Sequence, residues 1–172
     1  MKKLLLAALT LMVAVSCMKE GKNSSSWSNT YAGTLTTELS ESREQVYREE
    51  NVVAKLNCPD MFTKAFYFEF EGVKFVNEMP KLAITLPLTY ELQKNENADL
   101  YDWVINQNDV VPTIGGVPYE AYKMSAVKGL VTNDSTKIEF WITLRGVEYH
   151  VTYEWDRPSS GESGDENNNT NE

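Results

Sequence analysis

The stretch Ile138–Trp155, I-E-F-W-I-T-L-R-G-V-E-Y-H-V-T-Y-E-W, decides the fold. Before Arg145 the even positions Ile138, Phe140, Ile142 and Leu144 are apolar and alternate with Lys137, Glu139, Trp141 and Thr143. After Gly146 the odd positions Val147, Tyr149, Val151, Tyr153 and Trp155 take over, alternating with Glu148, His150, Thr152 and Glu154. A period of two is that of a half-buried strand. A two-residue turn at Arg145-Gly146 sets Leu144 against Val147, Ile142 against Tyr149 and Phe140 against Val151. Every apolar partner then falls on one face, which is why the parity must switch across such a turn. Gly146 supplies the positive φ that the turn requires.

The same pattern extends outward. Phe66, Phe68 and Phe70 are even and Val73 and Phe75 are odd, with Glu71-Gly72 between them. This predicts a second hairpin, Phe70 facing Val73 and Phe68 facing Phe75. Leu82, Ile84, Leu86, Leu88 and Tyr90 form another even run, and Pro87 on its other face predicts an edge strand or a break there. Tyr31, Gly33, Leu35, Thr37 and Leu39 make a first strand, and Tyr122 to Val131 a later one. A three-residue turn Asn133-Asp134-Ser135 would set Leu130 opposite Ile138 and Ala126 opposite Ile142, although other registers satisfy the pattern. Glu41 to Leu56 carries two signals. Ser42 with Gln45 resembles a capping box, whereas Val52, Ala54 and Leu56 alternate, and a strand over Gln45–Leu56 is the preferred reading. From Asn95 to Glu120 the pattern fails. Asp99 to Ile105 (DLYDWVI) suits one or two helical turns, and Pro112, Gly115, Gly116 and Pro118 make a long connection. The expectation is an all-β fold: an antiparallel sandwich or barrel of about eight strands, with one long irregular connection and at most a short helix.

The start of the chain is read differently. Met1-Lys2-Lys3 is basic, Leu4 to Val15 is an apolar run of 12 residues, and Ala14-Val15-Ser16 sets small residues against Cys17. The run is too short to span a bilayer and suits a removed signal. The stretch resembles a bacterial lipobox, with Ala14 where Leu is usual. That resemblance implies cleavage before Cys17, lipidation of its thiol and anchorage in the cell envelope. Met18 carries no inner-membrane aspartate signal, so the outer membrane is the expected site. The expected organisation is a signal peptide over 1–16, a lipidated flexible tether over 17–29 (polar and serine-rich), a β domain over 30–156 and a disordered acidic tail over 157–172.

Charge narrows the partners. The full chain carries −9 at pH 7, and loss of Lys2 and Lys3 with the signal takes it to −11. This argues against nucleic acid and against electrostatic docking on anionic lipid. Acyl chains need no basic patch, since each buried methylene contributes about 0.8 kcal/mol.

The tether, Tyr31-Ala32-Gly33-Thr34-Leu35 and the strands that follow resemble uncharacterised lipoproteins of Bacteroides-type bacteria that are described as calycin-like or lipocalin-like. Where a lipocalin carries Gly-x-Trp on its first strand, Gly33 here is followed by Thr34 and Leu35. The resemblance implies a β domain and no known catalytic activity.

Chemistry is sparse in the sequence. There is no HExxH, CxxC, P-loop or GxSxG motif. Cys58 has no partner once Cys17 is the anchor, and a small buried thiol is its expected role. His150 is the sole histidine and is expected on an exposed polar face. Asp99, Asp102 and Asp109 match no calcium loop, and Glu69 and Glu71 are expected to face solvent without a second carboxylate pair. No catalytic residue, metal or cofactor is expected. The remaining resource is aromatic: Trp141 on a polar strand face, and Trp103 and Tyr101 in the irregular stretch, are the candidate binding residues. Two function classes follow. One is an envelope interaction protein that binds another protein or an envelope component. The other is a binder of a small apolar or glycan-like ligand.

Overall fold

The computed structural model describes residues 26–95 and 100–157. The signal over 1–16, Cys17 and most of the tether and tail lie outside the described residues. The strands are β1 (Trp27–Leu39), β2 (Gln45–Asp60), β3 (Ala65–Val73), β4 (Leu82–Thr89), β5 (Glu91–Lys94) and β6 (Tyr101–Val110). They continue with β7 (Thr113–Ile114), β8 (Val117–Pro118), β9 (Met124–Val131), β10 (Ser135–Leu144) and β11 (Val147–Asp156). A 3-10 turn over Glu120–Tyr122 precedes β9. All described ladders are antiparallel and form one curled sheet, a half-barrel, in the order β5-β6-β9-β10-β11-β1-β2-β3-β4-β7-β8. Three of the eleven strands have four residues or fewer. The long ones follow one another up and down the sheet, and β1 pairs back onto β11.

One register follows directly from sequence. Leu144 opposes Val147, Ile142 opposes Tyr149 and Phe140 opposes Val151. Arg145 (φ 51°) and Gly146 (φ 81°) both take left-handed backbone, the conformation of the twist-matched two-residue hairpin turn. The Gln45–Leu56 strand also forms, and β2 runs on to Asp60.

Four expectations are corrected. Glu71-Gly72 is not a turn: β3 continues through Gly72, Phe70 opposes Ile84 and Val73 opposes Leu82. The parity switch there comes from a register shift between Phe70 and Val73, since a bulge inserts one residue and inverts the alternation as a two-residue turn would. The 95–120 stretch is not one irregular connection, and Asp99–Ile105 is not helical where described. Tyr101–Val110 is a full strand, held between β5 and β9. The turn before β10 spans Thr132–Ser135, with Val131 opposite Thr136 and Met124 opposite Ile142. A bulge opposite Phe140, with Ala126 at φ 46°, then lets both Met124 and Val127 point inward. Finally, β1 begins at Trp27, inside the segment assigned to the tether.

Pro87 fits its expected position. It opposes Tyr67 on one side, while β4 pairs with β7 only at Ile84 and Thr85, so no described ladder donor is lost at Pro87. Beyond that pairing the sheet curls until β4 lies against β6 without a ladder between them. The Thr89 amide donates to Gln107 Oε1 at 2.8 Å across this seam.

Candidate functional site

Any site must lie in the barrel interior or on its outside, so the interior comes first. Phe66, Phe68, Phe70, Phe140 and Tyr153 are fully buried along the inward face. Tyr153 packs edge-on against Phe68 and Phe70, at centroid distances of 5.4 and 5.5 Å. Its hydroxyl donates to the Val52 carbonyl at 3.2 Å. Burial raises the phenol's pKa above the ordinary tyrosine value. The ring lies so close to Gly33 that a Cβ there would meet Tyr153 Cζ at 2.6 Å and the Glu154 carbonyl at 2.4 Å. Gly33, which the sequence shows as part of a short motif, is therefore a packing requirement.

Both mouths of the barrel are closed. At the end where β1 begins, Trp103 stacks on Tyr90 (centroids 4.1 Å apart, planes 7° apart) and touches Phe66 and Trp27 at 5.7 and 5.2 Å. Burial pushes the Tyr90 phenol up to about 12, with Cys58 beside it. At the other end residues 74–81 fold across the opening and bury Phe75 and Met79. Phe75 meets Phe140 edge-on at 5.5 Å. Lys74 sits over the Tyr47 ring at 5.1 Å, and Lys81 pairs with Glu49. Burial works against the Glu49 carboxylate, but hydrogen bonds from Lys81 and Tyr47 outweigh it and hold its pKa below the usual range.

The aromatic candidates are thereby separated. Trp103 is 8% exposed and belongs to the core, so it is no surface residue. Its place in β6, which the sequence pattern missed, is the reason. Tyr101 opposes Lys94 and is 59% exposed. Trp141 lies on the outer face of β10, half-buried, and is not brought together with the other two. It opposes His150, and the two rings are 4.4 Å apart.

His150 is not the exposed imidazole expected from its strand parity. Its side chain is only 11% exposed, because the β1–β2 turn folds Arg43 over it. Arg43 Nη1 lies 3.0 Å from Nδ1, and a guanidinium can only donate, so Nδ1 accepts. Nε2 has no hydrogen-bond partner among the described residues. Glu139 lies 3.8 Å from it, and Glu38 lies 3.8 Å from Nδ1. Ser40, the nearby hydroxyl, donates instead to Glu148 at 2.7 Å. Arg43 was missed in sequence because its approach depends on a left-handed turn residue (φ 59°) that no motif announces.

The structure places the other candidates as well. Cys58 is buried, its Sγ 3.5 Å from the Ala65 carbonyl, and burial raises its pKa, which keeps it a thiol. Asp109 pairs with Lys123 at 3.1 Å, and Asp99 lies outside the described residues. Glu69 accepts from Asn57 at 3.3 Å, and Glu71 is exposed. Among the described residues no group of three or more His, Cys, Asp or Glu side chains could hold a metal ion. Two hollows, of about 290 and 270 Å³, are partly open to solvent. Arg48, Glu154 and Asp156 line the first, and Lys137, Glu154 and Asp156 the second.

Several exposed apolar residues escaped the sequence reading, among them Val117, Tyr119 and Phe62. Phe62, at the tip of the β2–β3 turn, is 65% exposed. Its signal was an apolar side chain within the turn segment Pro59-Asp60-Met61-Phe62-Thr63-Lys64. Compared with protein-family models, curated proteins and solved structures, the chain finds no match.

Proposed function

We propose that this chain is a lipoprotein of the bacterial envelope, anchored in the outer membrane through Cys17. Its β domain performs no chemistry and acts as a rigid scaffold for contact with another envelope protein or envelope component. The observation that carries this reading is the filled interior. Large aromatic side chains occupy the inward face, and both mouths are closed by packed rings. A barrel of this size holds a small ligand only when its interior is left unfilled. Recognition then falls to the outside, where the half-buried Trp141 packs on the covered His150 ring, with Glu38, Glu139 and Arg43 around it.

The alternative is a calycin-type binder of a small lipid- or glycan-like ligand. What favours it is the up-and-down course of the long strands with β1 returning to β11. Native mass spectrometry of the full chain purified from its host's membranes separates the readings. The expected species carries acyl mass on the Cys17 end and nothing else. A co-purifying small molecule overturns the scaffold reading, and a mature chain without acyl mass overturns the anchor.

A further inference from the structure

Along the up-and-down path each turn belongs to one of two ends. The end where β1 begins also holds the β2–β3 turn, the start of β6, the β9–β10 turn and the end of β11. Its tips carry exposed rings and lysines together with the carboxylates of Asp60, Asp134 and Asp156. Phe62 projects from the β2–β3 turn, held there by its amide donating to Asp60 Oδ1 at 2.9 Å. Tyr101 stands at the start of β6, and the exposed Lys64 and Lys94 flank these two rings. Asp134, a carboxylate of this end, is paired with Arg157 at 2.9 Å. The opposite end carries exposed charges of both signs, Glu41, Glu44, Glu78, Glu120 and Glu148 with Arg43, Lys81, Lys123 and Arg145.

We infer that the Phe62 end is a second membrane contact, on which the barrel stands with Phe62 and Tyr101 in the lipid interface. This rests on the lipid-anchor reading above. From Cys17 to Trp27 the chain takes ten steps. Fully extended these span about 35 Å, and they join the barrel at this end and no other. The tether therefore confines the domain to the immediate neighbourhood of the surface and presents the Phe62 end to it. Apolar and aromatic tips flanked by lysines suit the boundary between headgroups and acyl chains. The far end, ringed by exposed charges of both signs, suits water. A lone phenylalanine binds a bilayer weakly. Tethering raises its effective concentration at the surface, so the contact forms without new affinity.

The test uses full chain purified in detergent from a lipidating bacterium. It is reconstituted on vesicles of phosphatidylethanolamine with a minor share of phosphatidylglycerol and of doxyl-labelled phosphatidylcholine. Phe62→Cys and Glu78→Cys variants each carry an environment-sensitive fluorophore. Both positions are exposed, and Cys58 is buried from the reagent. The expected result is quenching several-fold stronger at position 62 than at position 78. Equal quenching in protein that still floats with the vesicles overturns the docking and leaves the anchor standing. Wild type and Cys17→Ser failing alike to float would show the anchor to be wrong, and the docking falls with it.

Discussion

The two mouths of the barrel are closed by different physics. At the mouth where β1 begins, four rings meet: Trp103 on Tyr90, with Phe66 and Trp27 at its sides. Nothing in that closure depends on charge. The far mouth is closed by a loop, residues 74–81, which inserts Phe75 and Met79 and is tied at its rim by Lys81 on Glu49 and Lys74 over Tyr47. Three strand residues and Tyr90, the single residue between β4 and β5, fill the first opening, so its packing is part of the sheet. The second is filled by a segment between strands, which can lift while the sheet persists. The packing is thus built into the fold at one end and added to it at the other.

Trp103→Ala attacks the first closure and has the largest expected effect, about 4 kcal/mol lost in denaturant unfolding. A loss below about 1 kcal/mol would place the ring outside the core. Phe75→Ala attacks the second, with about 3 kcal/mol lost. Because a loop supplies that ring, the variant is also expected to bind a hydrophobic dye that the wild type excludes, while strand content by circular dichroism is unchanged. Gly146→Val lies at the far rim and costs about 1 kcal/mol or more, since its φ of 81° suits glycine alone. Gly72→Ala is its control. With no positive φ and open space where the Cβ would go, it is expected to be neutral or slightly stabilising.

Glu49→Gln has a small expected cost, up to about 1 kcal/mol at pH 7, and it is the most informative one. The Glu49 pKa is lowered in the folded state. Its contribution is therefore complete above the unfolded carboxylate value of about 4.3 and is lost as pH falls through the lower folded one. The gap between wild type and variant should close in acid, whereas the penalty of Trp103→Ala should not. A pH-independent gap would mean that Glu49 does not tie the loop.

How much of this was legible in sequence depended on which device reversed the parity. Arg145-Gly146 and Glu71-Gly72 look alike: an apolar alternation, a charged residue, a glycine, and the alternation resumed out of phase. One is a turn and the other adjoins a bulge, because parity alone cannot tell two inserted residues from one. The distinguishing clue lay further on. After Gly146 five alternating apolar residues remain, whereas after Gly72 the run ends within a few residues at Asn77, Glu78 and Pro80. The β6 strand was hidden for another reason. Asn106, Gln107, Asn108 and Asp109 are poor strand formers, and pairing with β9 imposes the conformation. Once β6 was missed, Trp103 passed for a surface residue. Trp141 was read on its correct face, but the Arg43 turn that buries its neighbour His150 leaves no trace in local pattern.

The pairing of β1 with β11, Thr34 lying against Glu154, carries a consequence for how the molecule comes into being. The first strand made finds one of its two neighbours only when the last strand arrives. As the chain is made from its N-terminus, β1 waits through nearly the whole synthesis with one edge unsatisfied. So high a contact order makes for slow folding and a long interval of vulnerability to mispairing. A chain cut short before Val147 lacks the strand that completes the sheet around β1, and the protein is complete in a physical sense only after release.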